Sequence, residues 1–277
     1  MEPFRARRDE FLRKLHRRPV VMGILNVTPD SFFDGGRFLN IEAALSHARR
    51  LAADGGDIVD VGGESVRPGA APVSAAVELV RIEPIVARLA SSLDVPISID
   101  TSKAQVAASA LKLGAIAVND VWGLQRDPAM ADVVAAAEAA LVIMHNRAEK
   151  DETIEIIADI RKFFDRSLAI AERAGISRDH IILDPGIGFG KTSRQNRDAL
   201  HRLAELKDYE LPILVGASRK SFLGSLIDGH AEASLSGTIA ANLAAAAGGA
   251  AMFRVHDVAE HVAALKVFHT IRHGTAW

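Results

Sequence analysis

VPISIDTSKAQVAASALKLGAIAVND, residues 95–120, decides the fold. It begins with a short apolar run that ends in a polar cluster, IDTSK (99–103). An Ala/Leu-patterned stretch of helical length follows. A second apolar run, AIAV, then ends in Asn119 and Asp120. Continuous β-branched runs of this kind belong to parallel strands buried on both faces. The same unit recurs in both directions. VVMGILN (20–26) and DIVDVGGES (57–65) precede it, while ALVIMHN (140–146), IILDPG (181–186), ILVGASRK (213–220) and MFRVHD (252–257) follow. Eight strand–helix units close into a (β/α)8 barrel of the TIM-barrel class, whose strand C-termini face one mouth. The polar strand ends are expected to converge there: Asn26, Glu64, Asp100, Asn119, His145, Asp184, Lys220, Arg254 and His256.

The 277 residues suit one such barrel of about 250 residues, and no interdomain linker is visible. Residues 1–18 are taken as a basic extension and 19–277 as the barrel domain. Aromatics make up only 5% of the chain, so the core is aliphatic. The net charge of -2 gives no reason to expect nucleic acid or an anionic membrane as a partner. The chain has no cysteine, which excludes disulfides, thiolate catalysis and Cys-ligated metal centres. MEPFRARRDEFLRKLHRR (1–18) lacks the apolar core of a secretory signal, and Glu2, Asp9 and Glu10 do not suit a transit peptide. It is expected to form a short helix packed outside the barrel. No apolar stretch reaches the roughly 20 residues a bilayer span needs, so a soluble, cytoplasmic protein is expected.

Helix signals fill the gaps. Asn40, Asp127 before Pro128, Ser218, and Asp257 with Glu260 are expected to cap helices. Gly114, Gly175 and Gly248–Gly249 are expected to end them, and Ile154–Ala174 to form one amphipathic helix. Connections 27–39 and 62–73 exceed the usual βα loop of about 2–6 residues. They carry Asp30, Ser31, Phe32 and Arg67 and are expected to act as lids.

The strand ends sort by chemistry. Arg254 and His256 lie two apart just before a helix start, an arrangement that favours phosphate or pyrophosphate. Lys220 could form a Schiff base or remain a charged donor, and Arg219 beside it favours the second reading. Asp100, Asn119 and Asp184 suit a flat heterocycle with an amino-amide edge. The competing reading makes the carboxylates caps or partners of Lys103 and Arg219, and Asp184 of DPG a turn residue. Asn26, near Thr28, Asp30 and Ser31, offers a hard oxygen to Mg2+ held mainly by substrate and water. The histidines are too scattered for zinc, and His145 is read as structural or supporting. PGIGFGKT (185–192) imitates a P-loop but has Pro185 where the pattern needs Gly; Phe189 offers a flat contact.

These blocks in this order resemble dihydropteroate synthase: MGILNVTPDSFFDGG (22–36), DVGGESVRPGA (60–70), IDTSK (99–103), ND (119–120), ILDPGIGFGK (182–191), SRKS (218–221) and RVHD (254–257). The resemblance implies a (β/α)8 barrel joining 6-hydroxymethyl-7,8-dihydropterin diphosphate to 4-aminobenzoate, giving dihydropteroate and diphosphate in folate biosynthesis. It assigns Asp100, Asn119, Asp184 and Lys220 to the pterin. Arg254 and His256 go to the diphosphate, with Asn26 as its contact to magnesium. Arg67, Pro68, Phe189 and Ser221 surround the aminobenzoate. A homodimer is also implied, and sulfonamides, which mimic aminobenzoate, are expected ligands. Three departures stand out: Val66 where the family has Thr, Phe33 where it has a small residue, and Asn146-Arg147 after His145. Alternatives are a pterin-binding methyltransferase-type barrel, which has no need of SRK with RVH, a silent paralogue, and a Schiff-base aldolase.

Overall fold

The computed structural model describes residues 2–28, 36–64, 71–227, 234–275 and 277, with the side chains of 2, 3 and 36–40 left out. Its strands are β1 (Val20–Asn26), β2 (Ile58–Gly62), β3 (Ile97–Asp100), β4 (Ala117–Asp120), β5 (Ala140–Met144), β6 (Ile181–Asp184), β7 (Leu214–Val215) and β8 (Met252–Val255). All pair in parallel, in the order β6-β5-β4-β3-β2-β1-β8-β7. A parallel bridge between Leu183 and Ile213 closes the ring. The expected barrel is therefore present.

Around it run α2 (Gly36–Ala53), α3 (Ala75–Ser92), α4 (Ala104–Lys112), α5 (Met130–Ala137), α6 (Ile156–Arg173), α7 (Ser193–His201), the short α8 (Ser221–Gly224), α9 (Leu235–Ala247) and α10 (Val258–His273). Outward-facing strand residues such as Val21, Val59, Ile99 and Leu141 pack with helix residues in one cluster. Inward-facing residues at the strand starts form a second cluster, including Val20, Met22, Ile58, Ala140, Ile182 and Met252.

The first helix, α1 (Glu2–Leu15), corrects one expectation. It does not sit outside the ring. Phe11, Leu12 and Leu15 join the inner cluster, so α1 plugs the end of the barrel opposite the mouth. Burying each such side chain contributes roughly 1.5–3 kcal/mol. Lys14 and Arg18 also reach the buried Asp57, just before β2, at 3.5 and 2.5 Å.

The expected caps fare unevenly. Gly114, Gly175 and Gly249 do lie just beyond helix ends with positive φ. However, α2 runs through Asn40 instead of starting after it. Asp127 is two residues too early to cap α5; its oxygens accept from Ala129 N and, at 2.8 Å, from Ala104 N of α4. Asp257 makes no side-chain cap to α10 because its carboxylate is held by Arg219 at 2.6 Å. For Asp257 a tertiary partner outcompetes the local amide, and Asp127 divides its oxygens between a local and a distant one.

Candidate active site

Period two along each strand selects the residues that face the barrel axis. Ile58, Asp60 and Gly62 alternate inward on β2; Ser98 and Asp100 do so on β3, and Arg254 is in register with Met22. Above the apolar floor these residues form a polar layer.

Its centre is Asp60, fully buried and not foreseen from the sequence. One of its oxygens accepts from Ser98 Oγ at 2.6 Å. The other accepts from Asn119 Nδ2 at 3.0 Å and Arg254 Nε at 2.7 Å. Arg254 Nη2 then donates to Asp100 Oδ2 at 2.7 Å. The guanidinium thus bridges two buried carboxylates. Burial raises the Asp100 pKa, and Arg254 opposes the rise.

This wiring fixes what remains for a ligand. Asn119 gives one of its two amide N–H groups to Asp60, which leaves its oxygen over. Asn119 Oδ1 and Asp100 Oδ1 are both buried acceptors without a hydrogen-bond partner among the described residues. Leaving such acceptors unmet costs about 1–3 kcal/mol each. A ligand carrying adjacent N–H groups would satisfy them.

Asp184 fills the turn role that the sequence left open. Oδ1 accepts the Gly186 amide at 2.7 Å, making the DPG turn, and its second oxygen is left for a ligand. Burial raises its pKa to about 6, opposed by the Gly186 amide and by Lys191, Lys220 and Arg254. Neither inward carboxylate pairs with Lys103 or Arg219. Lys103 instead holds Glu64 and the buried Glu78, each at 2.6 Å. Glu64 is thereby drawn away from the axis toward α3, contrary to the expected convergence.

Lys220 Nζ lies 4.1 Å from the centre of the Phe189 ring, a cation–π contact. Burial and Arg254 lower its pKa to about 8, while Asp184 and Asp100 work against the drop. It therefore remains mostly an ammonium at neutral pH. Ser221 follows as the exposed first residue of α8. Ser218 does not cap that helix. Its Oγ lies 2.9 Å from His256 Nδ1 and accepts the His256 backbone N–H at 3.2 Å. With the Ser218 hydroxyl donating to Nδ1, the imidazole proton sits on Nε2. Burial, with Arg219 and Arg254 nearby, holds the His256 pKa near 4. His256 is thus a neutral N–H donor.

Asn26 ends β1 in register with Gly62. The missing Gly62 side chain leaves a gap flanked by Asn26 Oδ1 and Asp100 Oδ2, each 3.6 Å from where a Cβ would stand. Among the described residues, no group of three or more His, Asp or Glu could hold a metal. The hard oxygen of Asn26 could supply one contact to an ion carried in by the ligand. His145 faces away from the axis, between Lys191 and Asp159. Arg67, Pro68, Val66, Asp30, Ser31, Phe32 and Phe33 lie outside the described residues.

Two buried acceptors, an ammonium over an aromatic face and a neutral His beside an Arg fit a nitrogen heterocycle bearing an anionic group. The comparisons agree. The pterin binding enzyme family matches residues 22–256. A dihydropteroate synthase from Clostridium beijerinckii is 43% identical over 251 residues, covering 90% of this chain and 93% of that one. The chain belongs to the dihydropteroate synthase family. Members are transferases of folate biosynthesis. A Clostridium difficile dihydropteroate synthase, solved in the presence of pteroic acid, superposes with a TM-score of 0.88 at 46% identity over 92% of this chain and 97% of its own. The Xanthomonas albilineans dihydropteroate synthase with 4-aminobenzoic acid gives 0.87 at 41%, over 92% and 94%.

Proposed function

We propose that this chain condenses 6-hydroxymethyl-7,8-dihydropterin diphosphate with 4-aminobenzoate, using the polar layer at the barrel mouth. The paired, partnerless acceptors Asp100 Oδ1 and Asn119 Oδ1 carry the reading. They match the N–H-rich edge of a pterin. Asp184 takes a further ring N–H, and Lys220 donates to a ring nitrogen or carbonyl. Phe189 and Ser221, with Arg67 and Pro68, are assigned to the aminobenzoate.

Arg254 uses two of its N–H groups on Asp60 and Asp100, leaving three for the diphosphate. His256 adds its neutral Nε2–H, and Asn26 one oxygen to the magnesium that accompanies the diphosphate. That ion would add positive charge against the leaving group. The bond from the pterin methylene to the diphosphate oxygen breaks as charge gathers on the departing oxygens, which Arg254 and His256 stabilise. The amine nitrogen then bonds to the methylene and releases one proton. An arylamine is already nucleophilic, so no strong general base is needed. The test is diphosphate release from the pterin diphosphate that depends on 4-aminobenzoate. Release without the amine, or none with it, rejects the reading.

The same site dictates a bell-shaped pH profile. The carboxylates of Asp100 and Asp184 have raised pKa values, about 6 for Asp184, so acceptors are lost as pH falls through that region. Lys220, lowered to about 8, loses its proton as pH rises through that value. kcat/KM for the pterin diphosphate is therefore expected to peak between these limits. Lys220→Arg should move the alkaline limb upward; an unmoved limb means Lys220 is not the titrating donor.

Two coarser features complete the proposal. Among the described residues no helix is long and apolar enough to cross a membrane, and a cytoplasmic location is proposed. A homodimer is proposed through α9 and α10, where Val267 is 60% and Ile271 80% exposed beside Leu243 and Phe268. Light scattering should give twice the chain mass, and Ile271→Glu should halve it. A monomeric wild type would overturn the dimer.

A further inference from the structure

The glycine-rich loop after β6 that imitates a P-loop binds a cation of its own. A P-loop turns backbone N–H groups toward an anion. Here the carbonyls of Gly186 and Phe189 face the ammonium of Lys191, at 2.7 and 3.1 Å. His145 Nδ1 completes the set at 2.8 Å. Three N–H donors thus meet three acceptors, and Lys191 is only 2% exposed.

Glycine makes this wrapping possible. Gly186 and Gly188 have φ of +66° and +87°. A Cβ on Gly186 would lie 1.8 Å from the His145 carbonyl oxygen, and one on Gly188 2.8 Å from Lys220 Cδ. The loop is therefore clamped between β5 and Lys220.

The ammonium has no lone pair, so His145 Nδ1 accepts and its proton sits on Nε2. That N–H points at Asp159 Oδ2 of α6, 3.1 Å away, which also receives Arg147 Nη1 at 3.2 Å. Burial and the adjacent Lys191 hold the imidazole neutral, with a pKa near 4. Burial lowers the Lys191 pKa to about 7; Asp184 and Asp159 favour its proton, while Lys220 and Arg147 oppose it. The two carbonyls and the imidazole nitrogen that converge on Nζ favour the ammonium. On its other side the loop presents the Phe189 ring to Lys220 and the Gly186 amide to Asp184.

We propose that Lys191 is a positioning residue for the pterin site: held by the Asp159–His145 pair, its ammonium sets the loop that orients Phe189, Lys220 and Asp184. This rests on the pterin reading of the mouth. It also explains the buried His145 side chain, whose ring nitrogens meet Lys191 and Asp159 and no side chain assigned to substrate.

The test uses the full-length protein and 6-hydroxymethylpterin, which has no diphosphate and does not react. Lys191→Met removes three charge-assisted hydrogen bonds, and calorimetry is expected to show pterin affinity falling about tenfold or more. Lys191→Arg keeps the charge but offers a planar fork in place of three tetrahedral donors, so it should not restore binding. Asp159→Ala leaves the loop sequence intact and keeps the test open if the Lys191 variants fail to fold. It should release the His145 tautomer, seen in the imidazole 15N shifts, and weaken pterin binding. Wild-type affinity in folded Lys191→Met overturns the proposal. So does an Asp159→Ala protein with unmoved His145 shifts and unchanged affinity. Failure of the wild type itself to bind the pterin would instead sink the reading of the mouth.

Discussion

Arg254→Ala is expected to lower kcat/KM by about a thousandfold, because the guanidinium serves both the carboxylate layer and the developing charge on the leaving group. It should also destabilise the fold by about 3–5 kcal/mol, the usual cost of breaking a buried ion pair by removing one partner. Asp60 and Asp100, 0% and 6% exposed, would be left without their shared counter-charge. Arg254→Lys should recover little, since one ammonium cannot span two carboxylates as the planar fork does. The double variant Asp60→Asn/Arg254→Ala separates the two effects. Removing one orphaned charge should return part of the lost stability and none of the activity. Thermal or denaturant unfolding alongside steady-state kinetics measures both. An Arg254→Ala protein with wild-type turnover would remove Arg254 from the reaction.

Lys220→Met is expected to behave differently: a fall in kcat/KM of about a hundred- to a thousandfold, typical of losing one preorganised donor, with no loss of stability at neutral pH. Lys220 makes a cation–π contact with Phe189 but is held at a lowered pKa of about 8, so burial of its charge works against folding. The linkage has a definite sign. Between pH 8 and the ordinary value of 10.5, the unfolded chain binds the proton that the folded chain has released. Wild-type stability relative to Lys220→Met therefore rises with pH across that window. Denaturant midpoints at pH 7 and pH 10 check this. A marked destabilisation by Lys220→Met at pH 7 would mean that the ammonium is structural.

The barrel was legible because its signal is redundant: eight buried runs each end in polar residues, and misplacing one would not hide the rest. The caps at Asp127, Ser218 and Asp257 were less legible, since their side chains are claimed by partners distant in sequence. The site was half legible. Strand-end residues such as Asp100, Asn119 and Asp184 stand out, whereas Asp60 sits inside the run IVDVG and reads as part of an apolar strand. Period two could have found it. Asp60 shares parity with Gly62, and Ser98 with Asp100, so a carboxylate and a hydroxyl were bound to meet on the axis. Glu64 and Lys191 could not be placed this way, because past the strand ends the loop backbone decides direction. Lys191 in particular was masked by a glycine pattern whose amides, in the fold, are not the groups facing the charge.

The proposed function requires that the polar layer inside the barrel, and no other cleft, hold the pterin ring. A second cleft of about 510 Å³ lies outside the barrel axis, lined by Trp122, Arg147, Phe163 and Arg166. Calorimetric titration with 6-hydroxymethylpterin compares the two directly. One equivalent should bind the wild type and Arg166→Ala alike, while Asp184→Asn should weaken binding about tenfold or more. Unchanged affinity in Asp184→Asn, or a loss confined to Arg166→Ala, would contradict the account.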